Sequence, residues 1–435
     1  MFYNRNMKKK RRLRPELRKP LFILGLVLTL IIIYTILNLF VFNNIHFFGI
    51  KSVNGDAKMY KTKTCLAFYP DTKDGKRVVK DLCSKSEEES IYDYALVPFG
   101  DYYLVEYGNN IHYYIDKNNK PLVVNSIADE GKKILSDYLR YDMKKDEIDK
   151  AYTMEFINET NPENLDISEC EYNVDGEDLT VYYPKYEYTS RIPLKFIQKA
   201  AGIDLGYKNE LYIKPKYISP KRKVVAFTFD DGPYEKTSPQ IVDSLYSVDG
   251  AGTFFIVGSR LEPKTMKIVK DSIEKGNQYG SHTQSHPYLV LLSAEEVYNE
   301  INQPAIDVRD GYHSGGEYDF DGIGYQMSKY RAPYGEHNSY VDSAAPFMSI
   351  EWDCDSKDWA SRDSKTIKET VYDFESKNPG GLDGCIVLFH DIYQETADAV
   401  KELVPELTEK GYQFITVDEL LDYLKIDKSR AYYPW

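Results

Sequence analysis

The sequence predicts an α/β protein: a parallel sheet covered by helices in the C-terminal half, preceded by small β and α+β segments and one membrane-spanning helix. Three observations predict it. Beyond about residue 217, short apolar runs alternate with helix-period segments, the pattern of parallel strands joined by helical crossovers. Residues 43–216 show short strands and isolated helices between polar turns, and residues 21–42 form a single uncharged run. The chain has 435 residues, room for two or three domains at roughly 100–200 residues each.

The run Leu21 to Phe42 holds 22 uncharged residues, about 33 Å as a helix, enough to cross a bilayer core. It is too long for a signal-peptide apolar region, and no small-residue cleavage pattern follows it. Residues 1–20 carry nine Lys/Arg and one acid, Glu16, and such a cluster stays cytoplasmic by the positive-inside rule. The expectation is a single-pass anchor in membrane lipid, with everything after about Asn43 outside the cell. The overall formal charge is −13. Beyond residue 20 there are 46 basic against 67 acidic residues, a body too acidic for a nucleic-acid partner. The 39 Tyr are read mainly as packing area with a polar tip.

Residues 43–126 read as a small β-rich segment, with a meander over Tyr102–Tyr107, Ile111–Ile115 and Leu122–Val124 separated by Gly/Asn turns. Residues 127–216 read as α+β, with helices at Ile127–Tyr141 and Leu194–Ala201 and a strand at Leu179–Tyr183. Neither segment carries recognisable chemistry. Of five Cys, Cys65 and Cys83 are the plausible disulfide. Cys354 and Cys385 are placed at opposite ends of neighbouring strands, beyond bridging distance, and Cys170 is left over.

From 217 to 435 the expected elements are a strand at Val224–Phe229, a helix at Pro239–Ser247, a strand at Thr253–Val257 and a helix at Pro263–Lys275. A helix at Ala294–Arg309, interrupted by Pro304, precedes a strand at Met348–Cys354 and a helix at Ser364–Ser376. Strand Ile386–Phe389, helix Thr396–Lys410, strand Gln413–Thr416 and helix Asp418–Leu424 complete the series. Reactive groups in βα barrels sit where strands end, so the residues beyond these runs deserve inspection.

Asp230 and Asp231 follow the first strand. Adjacent carboxylates there are costly to bury unless paired or metal-bound, although an Asp-Gly turn alone would explain half of such dipeptides. His282 and His286 follow a later strand end, and a spacing of four places both imidazoles on one side of a helical turn. With an Asp they make a two-His, one-carboxylate set suited to zinc or another first-row divalent ion. Arg331-Ala332-Pro333-Tyr334, Asp355-Ser356-Lys357-Asp358-Trp359 and Leu388-Phe389-His390-Asp391 each end or follow an apolar run. His46, His112, His313 and His337 show no partner pattern and read as ordinary polar residues.

In order, Thr228-Phe229-Asp230-Asp231-Gly232-Pro233, His282-Thr283-Gln284-Ser285-His286, Arg331-Ala332-Pro333-Tyr334, Asp355-Ser356-Lys357-Asp358-Trp359 and Leu388-Phe389-His390 resemble the five motifs of the polysaccharide deacetylase family, the NodB-homology domains of carbohydrate esterase family 4. The likeness covers roughly 220–425. It implies a distorted (β/α)7 barrel and a divalent metal, zinc, cobalt or another first-row ion, held by Asp231, His282 and His286. It further implies Asp230 as general base paired with Arg331, the Tyr334 N–H at the oxyanion, and His390 as general acid oriented by Asp358. Trp359 and Leu388 would wall the acetyl-methyl pocket. Two departures stand out: a long Gly- and aromatic-rich stretch at Gly311–Tyr325, read as a plain surface loop in preference to a groove rim, and Ala251-Gly252 ahead of the second strand.

The expected activity is metal-dependent deacetylation of N-acetylglucosamine residues in an extracellular polysaccharide. Cell-wall peptidoglycan is the leading substrate partner, ahead of chitin-like or poly-N-acetylglucosamine chains and acetylxylan. A non-catalytic wall-binding or sensor ectodomain is the alternative of a different class; an intact ligand and acid/base set argues against it.

Overall fold

The computed structural model describes residues 57–426, apart from 62–64, 86–91, 100, 108–109, 119 and 208–209. The basic segment 1–20 and the membrane-helix expectation at 21–42 lie outside the described residues. Among the described residues no helix is long and apolar enough to cross a membrane. The chain divides into two compact units. One holds the residues up to Asn125 with Asn173–Leu179 and Ile203–Tyr207; the other holds Ser126–Tyr172, Thr180–Gly202 and the chain from Lys208 onward.

The first unit contains a five-stranded sheet whose order follows the chain: Ala57–Lys61, Cys65–Pro70, Tyr92–Phe99, Tyr102–Tyr107 and Asn110–Asp116. The second and third strands run parallel, which requires a crossover, and the helix Lys73–Lys85 supplies it. That helix is absent from the sequence reading, because its few apolar residues are scattered among Lys, Arg and Asp. Packing reveals them: Val78, Val79 and Leu82 cluster with Ala67, Leu96, Val105 and Ile115. The expected strand at Leu122–Val124 reduces to an isolated bridge between Ile115 and Pro121. Cys83 is disulfide-bonded, and the side chain of its expected partner, Cys65, lies outside the described residues. Cys170, Cys354 and Cys385 are free thiols.

The second unit is built on a parallel sheet, whose strands we label in chain order: β1 Lys223–Asp230, β2 Thr253–Ile256, β3 Gln278–Ser281, β4 Lys329–Tyr330, β5 Met348–Ser349, β6 Cys354–Asp355, β7 Cys385–His390 and β8 Tyr412–Phe414. The order is β5-β4-β3-β2-β1-β7-β6, with β8 also paired to β1. Every pairing is parallel. From Val224 on, every residue of β1 is buried, as expected for a central strand covered on both faces. Its rings join those of neighbouring strands: Phe227 lies 4.9 Å from Phe389, and Phe229 stacks on Phe254 at 4.8 Å. On one edge β1 is shared, β8 taking Lys223–Val225 and β2 taking Thr228–Asp230.

Three expectations need correction here. Met348–Cys354 is two strands, because β5 pairs with β4 at one end of the sheet and β6 pairs with β7 at the other. Between them, the Ile350 N–H still donates to the Tyr330 carbonyl and the Asp353 N–H already donates to the Ile386 carbonyl. Cys354 lies opposite Val387, two positions from Cys385, so the two cysteines are not at opposite strand ends. The helix Ala294–Asp310 runs through Pro304 without interruption; its buried stripe Val297, Ile301, Ala305 and Val308 outweighs one missing donor. Gly252, a departure noted above, has a steric reason. A Cβ there would lie 2.9 Å from the Phe227 carbonyl and 3.0 Å from Leu245, so only glycine lets the chain enter β2 so close to β1.

Candidate active site

Asp230 is the last residue of β1, in register with His390 of β7 and Phe255 of β2. Asp231 leaves the strand with φ +74°, so the two adjacent carboxylates face different ways. Asp231 Oδ1 lies 3.5 Å from His282 Nε2 and 3.2 Å from His286 Nε2. The donor atoms of Asp231, His282 and His286 all fall within 4.8 Å of one another.

The helical turn expected at 282–286 is a bend instead. Thr283 and His286 both have positive φ, +69° and +62°, which no helix accepts. The bend is tied down from outside, its Thr283 and Gln284 carbonyls accepting the N–H groups of Gly258 and Ser259 at 3.0 and 2.8 Å. His282 Nδ1 donates to the Arg331 carbonyl at 2.9 Å, leaving the Nε2 lone pair aimed at Asp231. Burial also pulls the His282 pKa down, favouring the neutral imidazole that a metal needs. Two imidazole nitrogens and a carboxylate oxygen converging, with the His282 tautomer fixed, fit a divalent first-row cation.

Two acid/base pairs flank this set. Asp230 Oδ1 accepts from Arg331 Nη1 at 2.9 Å. Arg331 is fully buried and is itself held by the Ile350 carbonyl, Thr228 Oγ1 and the Glu351 carbonyl at 2.9, 2.8 and 3.3 Å. On the other flank His390 Nδ1 meets Asp358 Oδ1 at 2.8 Å, while the His390 N–H donates to Asp358 Oδ2 at 2.7 Å. Asp358 is completely buried, at the start of a short helix, Asp358–Ser361. Burial acts to lower the His390 pKa, but the hydrogen bond and charge of Asp358, helped by Asp230 and Asp231, push it up to about 9.

Tyr334 sits at φ +64° and is exposed. Its ring stacks on Tyr288 at 4.1 Å and its hydroxyl reaches the His286 carbonyl at 3.4 Å. Trp359 is also exposed, whereas Leu388 is buried within β7.

Sequence reasoning missed several supports. Asp391, next to His390, is buried and its carboxyl is pushed up to about 7 by burial. It accepts from Ser238 Oγ at 2.5 Å and its N–H donates to the Asp230 carbonyl at 3.2 Å. It occupies the space a side chain at position 232 would need: a Cβ on Gly232 would meet its oxygens at 2.2 and 2.4 Å. Thr396 donates to Asp358 Oδ2 at 2.7 Å from a helix that carries no local signal for this role. His337, read as an ordinary polar residue, lies 3.6 Å from Glu351 and 3.5 Å from Asp342. Burial pushes Glu351 up to about 8.

The sequence pattern of polysaccharide deacetylases matches residues 218–351. Over 220 residues the chain is 37% identical to the peptidoglycan-N-acetylmuramic acid deacetylase PdaC of Bacillus subtilis, covering 50% of this chain and 43% of that protein. It is 32% identical over 255 residues to the peptidoglycan-N-acetylglucosamine deacetylase PgdA of Listeria monocytogenes, covering 58% and 50%. The chain thus spans about half the length of these two relatives. A peptidoglycan-N-acetylglucosamine deacetylase of Bacillus cereus is 32% identical over 214 residues, 47% of this chain and 92% of that one. Among solved structures, that of PdaC from Bacillus subtilis aligns at 37% identity with a TM-score of 0.41, over 48% of this chain and 94% of that one.

Proposed function

The chain belongs to the polysaccharide deacetylase family, and from that premise we propose that it hydrolyses acetamido groups of N-acetylglucosamine residues in extracellular peptidoglycan. Residues 217–435 form the catalytic domain, a distorted (β/α)7 barrel. Residues 43–126 and 127–216 separate it from an anchor at 21–42, with 1–20 in the cytoplasm.

Asp231, His282 and His286 hold a divalent cation, zinc, cobalt or another first-row ion, which when bound polarises the acetamide carbonyl and acidifies water. Asp230 takes the proton from the attacking water, and Arg331 keeps that carboxylate ionised and aimed. The Tyr334 N–H donates to the oxygen on which charge develops. His390 donates a proton from Nε2 to the leaving amine, its Nδ1 being engaged by Asp358. The C–N bond breaks, a C–O bond to water forms, and acetate and a free amine leave. Trp359 and Leu388 wall the acetyl methyl.

The observation that carries this reading is the pair of flanking arrangements: Asp230 held by Arg331 at 2.9 Å, and His390 held by Asp358 at 2.8 Å, on neighbouring strand ends beside the convergent triad. Hydrolysis of an amide needs both a base and an acid, and the site holds one of each. The test is acetate release from purified peptidoglycan, with and without a chelator. Release that stops on chelation and returns with added zinc or cobalt is expected; chelator-resistant release, or none, contradicts the proposal.

A further inference from the structure

The stretch Gly311–Tyr325, read from sequence as a plain loop, is built. Gly311–Tyr312 pairs with Phe320–Asp321 as a small hairpin. Within it the Asp319 carboxylate accepts the N–H groups of Ser314, Gly315 and Gly316 at 2.9, 2.8 and 3.2 Å. Phe320 is buried in the core of the unit. Gly311, at φ +91°, lets the strands close, since a Cβ there would meet the Phe320 carbonyl at 2.5 Å. The ordered turn presents Tyr318 to solvent at the edge of a cavity of about 470 Å³, shared with Pro233, Tyr234, Lys236, Arg260 and Leu261. That volume lies in the range of small-ligand sites.

The cavity's two acids and two bases are equal in number and differ in how they are engaged. Both of its acids are engaged: Glu235 with Lys264 at 3.6 Å, and Glu262 in capping the helix Pro263–Glu274. Lys236 and Arg260 have no carboxylate partner among the described residues. In so acidic a chain, two unpaired cations beside two exposed tyrosine rings are a conspicuous lining. The cavity's lining is tied through the backbone to the segments that carry the hydrolytic site. Tyr234 follows Asp231 by three residues, at most about 11 Å of extended chain. The Gly258-Ser259 backbone just before Arg260 donates to the carbonyls of Thr283 and Gln284, between the two histidines.

We propose that Tyr234, Tyr318, Lys236 and Arg260 form a subsite for a carboxylate-bearing sugar adjacent to the acetamido sugar being hydrolysed. This inference rests on the hydrolytic reading above. The rings cover the apolar face of the sugar, and Arg260 makes a charge-assisted pair with its carboxylate. In peptidoglycan that carboxylate is either the lactyl group of muramic acid or an acid of the stem peptide.

The test compares full-length wild type, Arg260→Ala, Arg260→Lys and Tyr318→Ala. Substrates are neutral N-acetylglucosamine oligomers, peptide-free peptidoglycan glycan, the same glycan methyl-esterified, and peptide-bearing glycan whose lactyl group is amidated. Arg260→Ala should raise KM about tenfold on the peptide-free glycan with kcat unchanged, and leave neutral oligomers within about twofold. Esterification should reproduce that loss in wild type, Arg260→Lys should recover part of it, and Tyr318→Ala should raise KM on neutral and acidic chains alike. Equal effects of Arg260→Ala on neutral and acidic chains, or no effect, overturn the proposal. An effect confined to peptide-bearing glycan overturns the sugar-borne carboxylate and assigns the stem peptide. Should wild type release no acetate from any glycan, the hydrolytic reading falls, and calorimetry with the peptide-free glycan still decides the subsite. Wild type binding about tenfold tighter than Arg260→Ala supports it, and equal binding overturns it.

Discussion

At the end of β1, Asp230, Asp231, His282, His286, Arg331 and His390 gather in one place, with Asp231, His286 and His390 partly exposed to water. Beyond the helix Ser238–Ser247, Arg140, Lys144 and Lys214 surround Asp249 almost without access to it. Both are dense clusters of ionisable groups in one unit, yet their internal logic differs. Around Asp249 the direct ion-pair partners are all of opposite sign: Lys144 Nζ lies 2.5 Å from Oδ2, Lys214 pairs with Oδ1, and Arg140 stands 3.9 Å away, while the buried Asp137 carboxyl is a like-charged group whose field also reaches it. The charge of Asp249 is met by cations from within the protein. At the end of β1, Asp231 Oδ1 and two Nε2 lone pairs converge as electron donors. Three donors aimed at one point gain little from each other and much from a cation. Convergent donors of one polarity mark a site for chemistry, whereas alternating charges mark a structural clamp.

Substitutions break this comparison in opposite currencies, rate on one side and stability on the other. His390→Ala should lower kcat/KM for acetamido-glycan hydrolysis by about 10²–10⁴-fold. It should lose less on an activated aryl acetate, whose leaving group departs unprotonated, with metal content nearly unchanged. Equal losses on both substrates would reassign His390 to a structural role. Asp249→Asn should do the reverse. Removing one partner of a buried ionic group costs about 3–5 kcal/mol, so unfolding in denaturant should shift strongly while the folded fraction keeps its turnover. A variant of normal stability and poor activity would break the distinction.

Titration gives a smaller effect with opposite signs. Burial raises the Asp249 pKa, but Lys144, Lys214 and Arg140 outweigh it and hold the carboxyl well below its usual range. Its contribution to stability is therefore complete above an unfolded pKa of about 3.9 and is lost as pH falls toward the lower folded value. The folded pKa of His390, about 9, lies above an unfolded value of about 6.5. Its contribution is complete below about pH 6.5 and is lost as pH rises through about 9. In chelated protein, Asp249→Asn should flatten the acid limb of stability and His390→Ala the alkaline limb. The opposite assignment in urea melts across pH would show that the local fields are misread.

The same contrast explains what was legible in the sequence. The site at the end of β1 is assembled from residues at strand ends, so Asp230-Asp231, His390 and the residues near them stand out as polar groups closing apolar runs. The clamp joins Arg140 and Lys144 on one helix to Lys214 and Asp249 more than sixty residues downstream, and no local pattern connects them. Legibility failed for a similar reason at the helix Lys73–Lys85, whose apolar stripe becomes visible only against its sheet. It failed again at 282–286, where spacing suggested a helical turn and positive φ at Thr283 and His286 made a bend. Asp391 was visible as the end of the run Leu388–Asp391, but its role was not, because the space it fills is an absence, the missing Cβ of Gly232.

The central claim is that two neighbouring carboxylates divide the work, Asp231 binding the cation and Asp230 serving as base. Bound zinc or cobalt per chain, counted by elemental mass spectrometry beside acetate release, tests it in wild type, Asp230→Asn and Asp231→Asn. The account predicts about one ion per chain in wild type and in Asp230→Asn, with turnover lost in the latter, and loss of both ion and turnover in Asp231→Asn. A full complement of metal in Asp231→Asn, or its loss from Asp230→Asn alone, would contradict it.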